Sequence, residues 1–135
     1  MQRQRRRRSS EGIEGMEKPH KRLNAWKESI ALVMLVYELT KQFPKNELFG
    51  LISQIRRAAI SIPGNVAEGA ARQSRREFIQ FLYIARGSLS EVDTYTEIAG
   101  RLGYIEKETM GLVEKKLMDV DKILTGFIQS LKRKL

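Results

Sequence analysis

The chain has 135 residues, 41% hydrophobic and 30% charged, enough for one domain with a modest core. Its 25 Lys+Arg against 16 Asp+Glu leave a formal net charge of +9, which favours polyanion partners: nucleic acid first, an anionic membrane surface second. The absence of cysteine excludes a disulfide scaffold, a Cys-ligated zinc site and thiol catalysis, and the single histidine, His20, leaves no material for a His-based centre.

Residues 1–22 read as a basic tail, and residues 23–135 as the folded domain. Met1–Leu23 holds eight Lys+Arg, including Arg3, Arg5, Arg6, Arg7 and Arg8, against three glutamates. Its glycines, serines and scarcity of bulky apolar side chains predict a segment that cannot bury enough surface to order itself. Met16 offers an alternative start, which would make the arginine run an over-extended reading frame. The body is close to neutral apart from Lys132, Arg133 and Lys134 at its end.

From Asn24 onward the apolar spacing is helical, with no period-2 strand pattern. The first helix is expected from about Asn24, as N-cap, to Gln42, with Pro44 ending it. Ile30–Tyr37 is the longest apolar run, eight residues against the roughly 20 that span a bilayer. Lying this deep in the chain, it is not a secretion signal either, so a soluble, cytoplasmic protein is expected. Two stripes run along this helix: Trp26, Ile30, Val33 and Tyr37, and nearly opposite them Leu32, Val36, Leu39 and Phe43. A helix apolar all round must be covered all round. The Leu32, Val36, Leu39, Phe43 row is therefore the expected subunit interface of a homo-oligomer.

The second helix is expected from about Asn46 to Ala71, with Leu48, Ile52, Ile55, Ala59, Ile62 and Val66 on one face. Pro63 removes the bond to the Ala59 carbonyl and predicts a kink or a break. Ser74-Arg75-Arg76-Glu77 is a capping box that starts the third helix. That helix carries Phe78, Leu82, Ala85, Leu89, Val92 and Ala99 before stopping in Gly100–Gly103. The fourth begins near Glu106 and sets Val113, Leu117, Val120, Leu124, Phe127 and Leu131 in a coiled-coil-like seam. Short connections between four helices predict an all-α, antiparallel up-down-up-down four-helix bundle with a kinked second helix.

Few motifs carry chemistry. Gly64–Ala71 has the glycine spacing of a phosphate loop but lacks its Lys and Ser/Thr, so close helix packing is the better reading. Glu91, Asp93 and Glu97 lack the histidines of a di-iron site, and no Ser-His-Asp set can be assembled. No enzyme activity, metal or cofactor is expected. Arg57 and Glu68 on the second helix and Arg86 and Glu91 on the third suggest a polar network, because a carboxylate on an apolar row must be edge-exposed or paired. Arg72, Arg75 and Arg76 cluster between the second and third helices and are candidates for phosphate contact. No aromatic residue interleaves with them in sequence, so base stacking is not expected there.

Two blocks resemble a known family: "GLISQIRRAAISIPGNVAEGAAR", Gly50 to Arg72, and "SRREFIQFLYIARGSLSEVDTYTEIAGRLGYI", Ser74 to Ile105. They are similar to the bacterial four-helix bundle family described as ribosomal proteins encoded in 23S rRNA intervening sequences. The resemblance spans about Leu23 to Leu131 and leaves the residues before Lys18 without a counterpart. It implies an antiparallel bundle whose second helix continues through the proline, a ring-shaped homopentamer, and no established enzyme activity. A distant relative of similar fold is an accessory subunit of the reverse transcriptase of diversity-generating retroelements. The expected function is a non-enzymatic, oligomeric nucleic-acid-binding protein favouring structured RNA. Its contacts would come from Arg5–Arg8, Arg72, Arg75, Arg76 and Lys132–Lys134. The alternative is an oligomeric scaffold or accessory subunit for a protein partner.

Overall fold

Four α-helices account for most of residues 19–135, the part of the chain that the computed structural model describes; the arginines Arg3 and Arg5–Arg8 lie outside the described residues. They are α1 (Asn24–Thr40), α2 (Leu51–Ala70), α3 (Arg75–Arg101) and α4 (Lys107–Arg133), and no strand occurs among the described residues. Each helix packs on its two neighbours in the cyclic order α1–α2–α3–α4, and the backbones of the diagonal pairs stay apart. Contacts run in opposite order along neighbouring helices, with residues late in one helix meeting residues early in the other and middles meeting middles. Ser61 meets Ser88, Gly69 approaches Phe78, and Arg75 reaches Lys134, as an antiparallel up-down-up-down bundle requires.

Helix ends follow local chemistry, with some shifts from expectation. The α3 start is as the sequence predicts: the Glu77 N–H donates to Ser74 Oγ at 3.2 Å, and the Ser74 hydroxyl donates to the Glu77 carboxylate at 3.1 Å. Its stop is a Schellman turn, in which Gly103 adopts φ 80° and the Tyr104 N–H donates to the Ala99 carbonyl at 2.9 Å. Asn24 is the first helical residue rather than the cap; Leu23 holds that position and makes no side-chain capping bond. α2 starts five residues later than the apolar pattern suggests, because Lys45–Glu47 form a separate 3-10 turn. Residues 19–22, read as tail, form another 3-10 turn that packs on α1 and α2, with the His20 ring 5.3 Å from Trp26. The folded part therefore reaches back at least to Pro19.

The core corrects the expected subunit interface. Leu32, Val36, Leu39 and Phe43 are buried inside the protomer, packed with Ile55, Ile62, Leu82, Val92, Val120 and Leu124. Of the two α1 stripes, this row points inward because it is the one that faces both α2 and α4. The other stripe, Trp26, Ile30, Val33 and Tyr37, is half-buried at the edges, and only Met34 and Ala31 among its apolar neighbours are exposed. In α4, Ile128 rather than Phe127 completes the buried row; Phe127 is half-buried and meets Phe78 edge-on at 5.2 Å. A straight helix drifts away from a strict heptad over this length, which carries the fifth knob one residue on.

Hydroxyls inside the bundle are satisfied. Ser29, Thr40 and Thr96 donate to the carbonyls of Ala25, Val36 and Val92, one turn back in each case. Thr40 also accepts from Arg56 Nε at 2.8 Å, tying α1 to α2. At the centre of the α2–α3 seam the Ser61 and Ser88 hydroxyls lie 2.8 Å apart, and Asn65 donates to Ser61 Oγ at 2.9 Å.

α2 runs through Pro63 as one helix, so the segment is not a turn. Pro63→Ala restores a donor for the Ala59 carbonyl and removes a helix penalty of about 3 kcal/mol, against roughly 1.6 kcal/mol of lost ring burial. An unchanged or raised melting temperature is expected; a fall of several degrees would show that the ring's packing outweighs the backbone term. The two α2 glycines differ. A Cβ on Gly69 would sit 2.8 Å from both Phe78 Cδ1 and Phe81 Cβ, whereas one on Gly64 meets nothing within 4 Å. Gly69→Ala should destabilise by about 1–2 kcal/mol, because α3 must move away. Gly64→Ala should stabilise by up to about 1 kcal/mol through helix propensity alone. Thermal melts of the two variants check the opposite signs.

Candidate nucleic-acid interface

The antiparallel order gathers four chain positions at one end of the bundle: the entry into α1, the end of α2, the start of α3 and the end of α4. Each carries cations. Lys21 and Arg22 precede α1, Arg72, Arg75 and Arg76 span the α2–α3 corner, and Lys132, Arg133 and Lys134 close α4; all eight are exposed. Arg75 Nη1 donates to the Lys134 backbone carbonyl at 3.1 Å, so the two clusters adjoin. That bond also places a cation at the negative end of the α4 dipole. Two acidic groups temper this end. Glu68 pairs with Arg72 at 2.7 Å, and Glu77 is engaged with Ser74. Arg76 makes no ion pair among the described residues.

Aromatic rings do stand among these cations, contrary to the expectation from sequence. The Arg72 guanidinium lies 4.9 Å from the centre of the half-buried Phe81 ring. Tyr83, 39% exposed, has two cations on its ring: Arg86 from its own helix at 5.2 Å and Lys132 from α4 at 5.0 Å. The signal that would have found this was the register of α3 on α4, which brings residues far apart in sequence side by side.

The expected polar network of Arg57, Glu68, Arg86 and Glu91 does not form. Arg57 is exposed on the outer side of α2, Glu68 turns to Arg72, and Glu91 accepts from the Tyr95 hydroxyl at 3.2 Å. Arg86 instead approaches Thr125 Oγ1 at 3.5 Å. The polar residues that do join α2 to α3 are the uncharged Ser61, Asn65 and Ser88, because an exposed carboxylate gains more from water than from a buried partner.

Charge reverses along the α3–α4 groove. Beyond Arg86 the groove opens into a cavity of about 350 Å³ lined by Leu89, Ser90, Asp93, Glu114, Leu117, Met118 and Asp121. Three carboxylates there would repel a phosphate backbone from this stretch of the groove. Among the described residues, no group of three or more His, Asp or Glu could hold a metal ion. No helix of the described residues is long and apolar enough to cross a membrane. At the far end, the Tyr104 hydroxyl donates to Glu47 at 2.9 Å, a bond that holds its pKa above the ordinary tyrosine value, while its ring packs on Phe43. This contact fastens the α1–α2 connection to the α3–α4 turn.

A family model described as 23S rRNA-intervening sequence protein matches residues 21–126. Among solved structures, the chain is similar to a crystal structure of a protein with unknown function from the S23 ribosomal protein family of Bacteroides thetaiotaomicron. The TM-score is 0.72 at 27% identity, covering 77% of this chain and 97% of the other. No curated protein matches.

Proposed function

Because the chain belongs to the 23S rRNA-intervening sequence protein family, with 106 of its 135 residues in the match, we propose that it is a non-enzymatic, oligomeric nucleic-acid-binding protein with a preference for structured RNA. The observation that carries this reading is the meeting of Arg72, Arg75 and Arg76 with Lys132, Arg133 and Lys134 at one end of the bundle. The chain enters α1 there too, through the exposed Lys21 and Arg22. Phosphate contact by exposed Lys and Arg is independent of sequence and steeply dependent on salt.

A homo-oligomer, a pentamer on the family resemblance, would multiply these ends and add weak contacts as avidity. Its contacts would have to come from the outward apolar side chains, such as Met34, Ile60, Ile84 and Met118, and not from the buried Leu32 row. Sedimentation at micromolar concentration, paired with RNA-binding isotherms across a salt series, tests both halves. The expected result is a closed assembly whose RNA affinity falls linearly with log salt. A monomer that binds no RNA at low salt overturns the reading.

One observation favours a second reading, an accessory subunit for a protein partner. Phe49 is 93% exposed at the end opposite the cations, the end at which Leu48 and Leu102 are exposed too. Phe49→Ser distinguishes the two, since it should leave the salt-dependent RNA isotherm unchanged.

A further inference from the structure

We infer that Tyr83 is a stacking platform for one unpaired nucleobase at the basic end of the α3–α4 groove. This rests on the nucleic-acid reading above and narrows the ligand to a single-stranded or looped-out segment rather than continuous duplex. Tyr83 stands at the helix surface instead of filling the core, with the residue 39% exposed. Among the described residues it is the one aromatic side chain with two cations on its ring.

The two cations differ in kind. Arg86 is half-buried and held beside Thr125, so it is a fixed support. Lys132 is exposed on a flexible stem, 5.0 Å from the ring centre. A base arriving on the ring displaces its ammonium, which then turns to a neighbouring phosphate. Room for a flat ligand exists on the same face: Gly87, one turn further along α3, has open space where a Cβ would be. Arg76 lies seven residues before Tyr83, about 10 Å of helix rise and nearly on the same face, so it is placed to hold a phosphate of the same short segment. Asp93, Glu114 and Asp121 further along the groove repel the backbone and keep that segment short.

The experiment uses the full chain and four probes of equal length at low salt. These are a single-stranded RNA of mixed sequence, the matching DNA, an abasic DNA strand and a blunt DNA duplex. Tyr83→Ala is expected to weaken the RNA and the single-stranded DNA by about 5- to 150-fold, the range for losing one base–aromatic stack. It should leave the abasic strand and the duplex unchanged, since these offer phosphate but no free base. Tyr83→Phe should keep wild-type affinity on all four, because the ring and not the hydroxyl does the stacking. Equal binding of the RNA by wild type and Tyr83→Ala overturns the stacking assignment while leaving the phosphate-binding reading intact. Failure of the wild type to bind any of the four overturns both.

Discussion

Val36→Glu is expected to unfold the protein rather than to separate subunits. Val36 is fully buried in the protomer, and Leu32, Leu39 and Phe43 continue the same inward row. A carboxylate there would have no partner among these apolar neighbours. Burying it unpaired costs several kcal/mol, a large share of the roughly 5–15 kcal/mol that holds a domain together. The melting temperature should fall by roughly 15 °C or more, or the cooperative transition should vanish. Acid should relieve the defect in part. Burial raises the folded-state pKa of the introduced glutamate above its unfolded value near 4.3, so the loss is small below that value and grows as pH rises above it. Met34→Glu, two residues away at a site 64% exposed in the protomer, should change the stability of the protomer itself by no more than about 0.5 kcal/mol, whatever it does to subunit contacts there. A Val36→Glu protein that melts normally but sediments as a smaller species would restore the row as a subunit contact.

The fate of that row shows where the sequence is readable and where it is not. α1 has two apolar stripes, and local periodicity does not say which faces the other helices of its own chain. Only the cyclic packing of α1 between α2 and α4 decides it. Signals confined to a few residues were legible. The Ser74–Glu77 box starts α3, and glycine in Gly100–Gly103 stops it, because each satisfies backbone groups within one turn. Gly69 was legible as a packing glycine, although Gly64, with the same local context, has nothing to pack against.

The candidate interface divides in the same way. Arg72, Arg75 and Arg76 are a visible cluster, and Lys132–Lys134 another, but their meeting is not visible in any local window. It depends on the register of α3 against α4, which is set by buried residues such as Leu82, Leu89, Leu117 and Leu124. The same register puts Lys132 on Tyr83, which is why sequence spacing hides an aromatic partner for the cations. The expected network of Arg57, Glu68, Arg86 and Glu91 fails for the converse reason. Helical spacing places those charges on faces, but charges at the edge of a seam turn outward to water or to partners on their own helix, as Glu68 does to Arg72.

Replacing Arg72, Arg75 and Arg76 together by serine is expected to weaken RNA binding by tenfold or more at low salt. It should also flatten the salt dependence by up to about 2 units of log affinity per log salt, at about 0.7 for each single-strand phosphate that is no longer neutralised. The three should not contribute equally. Arg72 is already held by Glu68, and Arg75 spends one donor on the Lys134 carbonyl, whereas Arg76 makes no ion pair among the described residues. Arg76→Ser alone should therefore cause the largest single loss. The fold should survive, because all three side chains are exposed and surface changes of this kind shift stability by no more than about 0.5 kcal/mol each. A parallel deletion of residues 1–15 removes the Arg3 and Arg5–Arg8 charges without touching the helices. If the deletion abolishes binding and the triple substitution leaves both affinity and slope unchanged, the end of the bundle is not the binding surface. If the two losses add on a logarithmic scale, bundle and tail contact the same polyanion, and the slope of the doubly altered protein should fall to what Lys21, Arg22 and Lys132–Lys134 still supply.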